Sequence, residues 1–256
     1  MRLGLKFYII LSAFVFRLSA EDIKKNAQLE ININTKTEVL ERGYLVGKRS
    51  VCTNVMGLVK GDRCGLYVSL DSIEPLQYKD SFSDRWKFSG GILKRLTDHF
   101  TWDLGCSYTF LQRDGFELLH HWKEWYAGIQ SDLLMKPSWY FYWNSDKKQW
   151  CTELKFSYDF DLSLFDLKKI DLCWENFLGF FKGRRPYGKN KSNAKYHCFY
   201  CGTSFLLKYR VNECCFFYMG PTFAYNTGGV KRDSIVNAAT HRSHFCYLNF
   251  GVEIVF

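Results

Sequence analysis

The chain has 256 residues, of which 47% are hydrophobic, 18% aromatic and 24% charged, and its formal net charge at pH 7 is +9. This length suits one large domain, and the composition is that of an ordinary globular chain without low-complexity segments. The basic excess comes with no recognised nucleic-acid-binding module, so we expect no nucleic-acid partner.

Residues 1–20 have the layout of a secretory signal peptide. Basic residues precede an apolar run over 7–16, and the segment closes on the small residues Ser19 and Ala20. The apolar run is shorter than the roughly 20 residues that a spanning helix needs. We therefore predict cleavage after Ala20 and a single mature domain over 21–256.

Apolar and polar residues alternate along most of the remaining chain. A period of two predicts β-strands, because successive side chains of a strand point to opposite faces. The pattern predicts twelve strands. Because the strands at 50–60 and 137–145 alternate weakly, ten and fourteen strands are the alternatives. The predicted strands are 29–40, 50–60, 63–71, 85–96, 99–111, 121–131, 137–145, 149–162, 169–181, 196–210, 213–226 and 244–256.

The two faces of these strands suit different surroundings. In strand 149–162, Leu154 and Phe156 belong to an apolar, aromatic face, whereas Glu153 and Asp159 belong to a charged one. The apolar face is too long to be left in water, and the charged face is too polar for the core of a soluble sandwich. The pattern predicts an all-β, transmembrane, antiparallel up-and-down β-barrel, with lipid outside and a polar lumen inside. An even strand number places both termini on the periplasmic side.

The connections between strands alternate in length. Bacterial barrels have short periplasmic turns and longer outer loops. The short connections are Gly61-Asp62, Thr97-Asp98 and Val211-Asn212, and the long ones are 72–84, 182–195 and 227–243. A hairpin centred on Val211-Asn212 would place Cys201 opposite Thr222.

The chain contains ten cysteines. Five of them fall on the apolar face of their strands, where Cys behaves as a small hydrophobic residue. Cys198 and Cys201 form a CxxC, but on a strand they point to opposite faces. We therefore expect neither a metal site nor a cofactor.

Two stretches resemble the TorF-like porin family. Arg42-Gly43 follows an extended segment, as the Arg-Gly element does near the start of that family. Residues 124–163 resemble the central run of the family, in which a Tyr-Ala-Gly strand leads to Pro-Ser and an aromatic residue, and then to an acidic hairpin. The resemblance implies an outer-membrane barrel of porin type.

Charged residues on the polar faces are the candidates for lining a pore. Such a barrel would pass small polar or ionic solutes by passive diffusion. On strand 149–162, Lys155 alone cannot neutralise three carboxylates, so we expect water in the lumen and a preference for cations there. The candidates are Glu124, Glu153, Lys155, Asp159, Asp161, Asp171, Glu175, Lys208, Arg210 and Glu253.

Two other functions fit the same pattern. Twelve strands lie between a filled eight-stranded barrel and an open sixteen-stranded channel, so a non-conducting structural or surface-interaction barrel with a polar-plugged lumen is the first alternative. An outer-membrane lipid-modifying enzyme is the second, since five histidines fall near predicted outer strand ends. The chain lacks a nucleophile motif such as G-x-S-x-G, so we expect no catalytic residues.

Two segments suggest partners at the membrane. The loop 182–195 contains six basic residues and no acid, which would suit binding to lipopolysaccharide. The last strand, 244–256, resembles the closing strand of bacterial outer-membrane barrels. This resemblance implies a bacterial outer-membrane location and an assembly signal, read by the barrel assembly machinery. The signal residues would be Phe250, Val252, Ile254 and Phe256.

Overall fold

A computed structural model describes residues 27–41, 44–76, 84–113, 117–146, 148–162, 167, 169–184, 195–227 and 243–256. The strands are β1 (Ala27–Glu41), β2 (Tyr44–Lys60), β3 (Cys64–Pro75), β4 (Asp84–Arg95), β5 (Phe100–Arg113), β6 (Glu117–Ser131), β7 (Ser138–Asn144), β8 (Gln149–Asp161), β9 (Ile170–Arg184), β10 (Lys195–Arg210), β11 (Cys215–Asn226) and β12 (His244–Val255). In the part of the chain so described, no helix is long and apolar enough to span a membrane.

The strands form one closed antiparallel barrel. Each strand pairs with its neighbours in sequence, and β1 closes the barrel by pairing with β12. At this seam Ile31 faces Ile254, and the ladder ends on reciprocal backbone bonds between Leu29 and Phe256, of 3.2 and 2.8 Å. The predicted twelve-stranded up-and-down barrel is confirmed.

The strand bounds differ from the predicted ones chiefly at the end of the barrel away from the termini. Strand β2 begins at Tyr44, six residues before the predicted start at 50, and its first residue pairs with Glu41. Strand β9 continues to Arg184 beyond the predicted end at 181. The backbone ladder needs no apolar alternation, so it extends past the stretch in which the sequence alternates.

The turn between β10 and β11 corrects the predicted register. The turn spans Val211 to Cys214, and the amide of Val211 donates to the carbonyl of Cys215 at 3.0 Å. The longer turn places Cys201 opposite Tyr225, so the prediction that it faces Thr222 was wrong. The physical reason is a side-chain cap, because Asn212 Oδ1 accepts a bond of 2.9 Å from the amide of Cys214. A central two-residue turn would leave no place for that cap.

The outer face of the barrel is apolar. Its residues include Val68, Leu104 and Leu248, which are 68%, 46% and 58% exposed. Aromatic residues lie near both ends of the strands, a distribution typical of membrane barrels. Trp102, Trp139 and Tyr209 lie toward the end that holds the termini, and Trp143 and Tyr225 lie toward the other end. A continuous apolar surface of this extent suits a bilayer and is unfavourable in water.

On the inner face, aromatic rings lie flat over glycines of the neighbouring strand. A Cβ added to any of these glycines would fall within 2.7 Å of a ring atom. The absence of a side chain on each glycine lets the large ring approach the neighbouring strand closely. The pairs are Tyr67 with Gly91, Tyr126 with Gly105, Tyr140 with Gly128, Phe177 with Gly202, Tyr200 with Gly179 and Tyr218 with Gly251.

All ten cysteines have free thiols. The side chains of Cys64, Cys106 and Cys246 are exposed on the outer face. Cys198 is buried inside the barrel, whereas Cys201, three residues further along β10, has the outward parity. The two therefore lie on opposite faces, as predicted.

Candidate functional site

The barrel encloses a cavity of about 750 Å³. Ten of the twelve strands contribute lining residues, and Lys136 enters from the β6–β7 connection. Because the residues come from nearly the whole circumference, this cavity is the lumen of the barrel. Its volume lies within the range of about 300–1,000 Å³ that small-molecule sites occupy.

A network of tyrosines takes up the lumen beside β5 and β6, the two strands that contribute no lining residue. Asp103 on β5 is only 5% exposed, and it accepts hydrogen bonds of 2.8 Å from both Tyr67 and Tyr140. Tyr67 also lies 2.5 Å from the hydroxyl of Tyr126, and Gln130 donates to Tyr140. This network shifts the open space toward the opposite wall.

A second cluster fills the interior of β8, β9 and β10 toward the end away from the termini. Cys151, Phe181, Cys198 and Tyr200 are all buried there. The hydroxyl of Tyr200 donates to Glu153 at 2.8 Å and lies 3.2 Å from Cys151 Sγ. Glu153 is therefore held by a buried ring and is not an isolated charge in the lumen.

The cavity is lined by charges of both signs. Several of them form ion pairs: Lys208 Nζ lies 3.6 Å from Glu253 Oε2, and Lys155 Nζ lies 2.9 Å from Glu153 Oε1. The cationic lining residues are Lys36, Arg85, Lys87, Lys136, Lys155 and Lys208, and the acidic ones are Glu30, Asp71, Glu175 and Glu253. The six cations and four acids give the lining a small excess of positive charge.

The acidic face of β8 differs from the expectation. Lys136 reaches in from the β6–β7 connection and places Nζ 2.7 Å from Asp159 Oδ2. Glu153 has both Lys155 and Tyr200 as partners. The prediction that Lys155 would be left to neutralise these carboxylates alone was wrong, because a turn residue and a tyrosine two strands away also reach them. The expected preference for cations loses its basis.

The structure places all ten predicted pore residues at positions of inward parity. Lys155, Glu175, Lys208 and Glu253 line the cavity directly. Glu124 is buried beside the tyrosine network. The others lie on the same inner faces, and Arg210 pairs with Asp171 at 3.4 Å near the end that holds the termini.

Sequence reasoning missed a neutral polar region that we call the amide wall: Asn32 and Asn34 on β1, Ser204 on β10, Thr222 on β11 and Asn249 on β12. Asn34 donates to Asn32 at 2.9 Å, and Asn249 donates to Thr222 at 2.8 Å. Ser204 lies 2.8 Å from the Thr222 hydroxyl. The inward parity of these residues was a usable signal, but attention to charged residues alone passed over it.

Three of the five histidines near outer strand ends are described and lie on the outer face: His121, His197 and His244. The ring of His244 lies 2.9 Å from the hydroxyl of its neighbour Ser243. Among the described residues, no group of three His, Cys, Asp or Glu could hold a metal ion. The side chain of His120 and all of His241 lie outside the described part.

No family model matches the chain, and no curated relative matches it. Several solved structures are similar. The KdgM porin has 10% identity and a TM-score of 0.47, over 90% of this chain and 99% of its own. The NanC porin has 10% identity and a TM-score of 0.49, over 88% and 98%. An outer membrane channel from Pseudomonas putida F1 has 9% identity and a TM-score of 0.47, over 90% and 95%. The fold assignment rests on the strand pairing described above.

Proposed function

We propose that this chain is an outer-membrane porin-like channel, which lets small polar or ionic solutes diffuse passively. The observation that carries the proposal is a polar cavity of about 750 Å³ inside a barrel whose outer face is apolar. An apolar exterior provides the contact with lipid, and a charged, hydrogen-bonding interior favours water.

The ion pairs of the lumen support an open interior. Lys155 is 53% exposed although its partner Glu153 is only 12% exposed, and Lys136 and Asp159 are 56% and 43% exposed. Charges placed in a dry, plugged interior would be costly even when paired. These exposed members of ion pairs support the proposal of a water-filled lumen.

The alternative of a non-conducting barrel is favoured by a specific observation, the two internal clusters. The tyrosine network around Asp103 and the buried group around Tyr200 fill parts of the lumen. If they close the passage at any level, the cavity is a dead end and the barrel serves a structural or surface role. Single-channel recording in planar bilayers separates the two functions.

The outer-membrane location and the assembly signal are part of the proposal. Phe250 is 54% exposed on the outer face, and Phe256 is 66% exposed at the end of the seam with Leu29. These positions are compatible with recognition of Phe250, Val252, Ile254 and Phe256 by the assembly machinery. Export through the signal peptide belongs to the same proposal, and residues 1–20 lie outside the described part.

Membership of the TorF-like porin family is proposed on the motifs alone. Residues 124–163 run from β6 through β7 and β8, and contribute Glu124, Glu153 and Asp159 to the inner face. Arg42-Gly43 lies outside the described residues. Lipopolysaccharide binding through 182–195 is also a proposal, since 185–194 lie outside them as well.

A further inference from the structure

We propose that a basic patch on the outer wall of the barrel binds a phosphate group of lipopolysaccharide. The outer basic patch consists of Lys182 on β9 and His197 on β10. The inference deepens the proposed binding of lipopolysaccharide, because it adds a contact on the lipid-facing wall to the one proposed for the loop. It rests on the proposed outer-membrane location, with both termini on the periplasmic side.

The two residues of the patch lie directly opposite each other in the β9–β10 ladder, and both side chains are exposed. They belong to the outer face, since the residues beside them in sequence, Phe181 and Cys198, are buried inside the barrel. The next pair of the same parity in this ladder is Arg184 opposite Lys195. Basic residues therefore oppose each other at two successive positions of one parity. Like charges in directly opposite positions are destabilising, and a bound anion would relieve that repulsion.

No acid on the surrounding wall offsets these basic residues. The outward positions of the described strands β8, β9, β10 and β11 contain no aspartate or glutamate. Every charged or titratable basic residue of outward parity on these four strands belongs to the two opposed pairs, 182 with 197 and 184 with 195. The lipid-facing charge of this part of the barrel is thus of one sign and is confined to one place.

Aromatic rings adjoin the patch. Trp150 on β8 lies directly opposite Lys182. The ring centroid of Phe180 lies 5.4 Å from that of Trp150 and 6.5 Å from that of His197. Phe199, two residues from His197 in the direction of the termini, is 40% exposed. The outer face therefore changes from apolar to basic within two residues along each strand. Such a change marks the boundary at which lipid head groups meet the acyl chains.

The position of the patch along β9 and β10 indicates the leaflet. The patch lies at the end away from the termini, whereas the outward residues at the other end of the same strands, Ile170 and Tyr209, carry no cation. With the termini on the periplasmic side, the patch faces the outer leaflet, whose phosphorylated lipid is lipopolysaccharide. A lysine ammonium and an imidazole N–H both donate to phosphate oxygens, and the charged bonds are the stronger ones.

The patch is separate from the lumen. Lys182 and His197 are absent from the lining of the cavity, and a buried cluster that includes Phe181 and Cys198 fills the interior behind them. Substitutions on the outer side of this wall therefore change the lipid-facing charge without changing the charges around the cavity. Lipid binding and conduction can be tested independently for this reason.

Native mass spectrometry of the full chain, folded in detergent micelles and titrated with lipid A, tests the proposal. We expect the double variant Lys182→Gln with His197→Gln to weaken lipid A binding about tenfold or more, because two donors to phosphate are lost. Lys182→Arg keeps a cation and should retain the affinity. Lys94→Gln is the matched control, because Lys94 is also exposed and lies opposite a tryptophan, Trp102, but at the end that holds the termini. This control should bind lipid A as the wild type does.

Four results would overturn the inference. They are no binding of lipid A by the wild type, equal binding by the wild type and the double variant, undiminished binding of lipid A from which the phosphates have been removed, and tighter binding of phosphatidylglycerol than of lipid A. Weakening in Lys189→Gln with Lys191→Gln but not in the wall variant would place the lipid on the loop alone and would also overturn it.

Electrophoretic mobility with and without boiling confirms that each variant is folded. Failure of this inference is separable from failure of the proposed channel, because conductance in planar bilayers depends on the lumen. Conductance without lipid A binding overturns only this inference, and lipid A binding without conductance overturns only the channel.

Discussion

The hydroxyl oxygens of Tyr67 on β3 and Tyr126 on β6 lie 2.5 Å apart, on the inner side of the two strands, β4 and β5, that separate them. Their rings can approach each other only because the residues beneath them are glycines: Tyr67 faces Gly91, Gly91 faces Gly105, and Gly105 faces Tyr126. Tyr200 crosses Gly179 in the same way to reach Glu153. Tyrosines that cross glycines thus link strands that are not neighbours, and they determine which parts of the lumen are filled.

This relationship predicts the effect of a side chain at Gly105. In Gly105→Val the added atoms would overlap the Tyr126 ring, so we expect a loss of about 1–3 kcal/mol in the free energy of unfolding, typical of overpacking. Gly57→Ala is the control, because its Cβ would lie 3.9 Å from the nearest atom, in Val68. Urea unfolding in lipid vesicles measures both. Equal stability of the two variants would contradict the close approach of the Tyr126 ring to Gly105.

Much of this fold could be predicted from alternation, which depends only on the geometry of a single strand. Alternation assigned Glu153 and Asp159 to the inner face. It could not show that Tyr200 and Lys136 reach them, because those contacts depend on strand register and on turn conformation. Met135 and Lys136 lie in a turn and have positive φ angles of 68° and 38°, respectively. No apolar pattern in the sequence encodes such a turn.

An added charge should destabilise the barrel more on its outer face than on its inner face. Leu104→Arg places a cation on the outer, lipid-facing side, and should cost about 2–4 kcal/mol near the bilayer midplane. Ser157→Arg places the same charge on the inner face, where Ser157 lines the cavity, and should cost much less. Unfolding in lipid vesicles compares the two variants. Similar costs would indicate two dry faces and argue against a membrane barrel.

The ion pair between Lys136 and Asp159 predicts the direction of changes in ion selectivity. With Asp159 paired to Lys136 and charges of both signs along the lining, the wild-type channel should show no preference for K⁺ over Cl⁻. Asp159→Asn leaves Lys136 unpaired and should favour Cl⁻, whereas Lys136→Gln should favour K⁺. The double variant should return to the wild-type value. Reversal potentials in a KCl gradient test this, and a cation-selective wild type would contradict it.

Phe256 has two separable roles at the seam. Its backbone bonds to Leu29 close the ladder, and its exposed ring is the proposed assembly signal. Removal of Phe256 should slow insertion more than Phe256→Ala, which keeps the backbone bonds. The amount of folded barrel, recognised by its change in electrophoretic mobility on boiling, is measured over time after synthesis. Its rate of increase gives the rate of insertion. Insertion of the deletion variant at the wild-type rate would contradict both roles.

Single-channel recording in planar bilayers tests the central claim most directly. Purified, refolded full chain should produce discrete conductance steps, because the cavity of about 750 Å³ would belong to a continuous water-filled path. Asp103→Asn should change the size of those steps, since it loosens the bonds from Tyr67 and Tyr140 that hold the network beside the path. A heat-modifiable barrel that inserts into the bilayer but shows no steps would contradict the account and establish a plugged lumen.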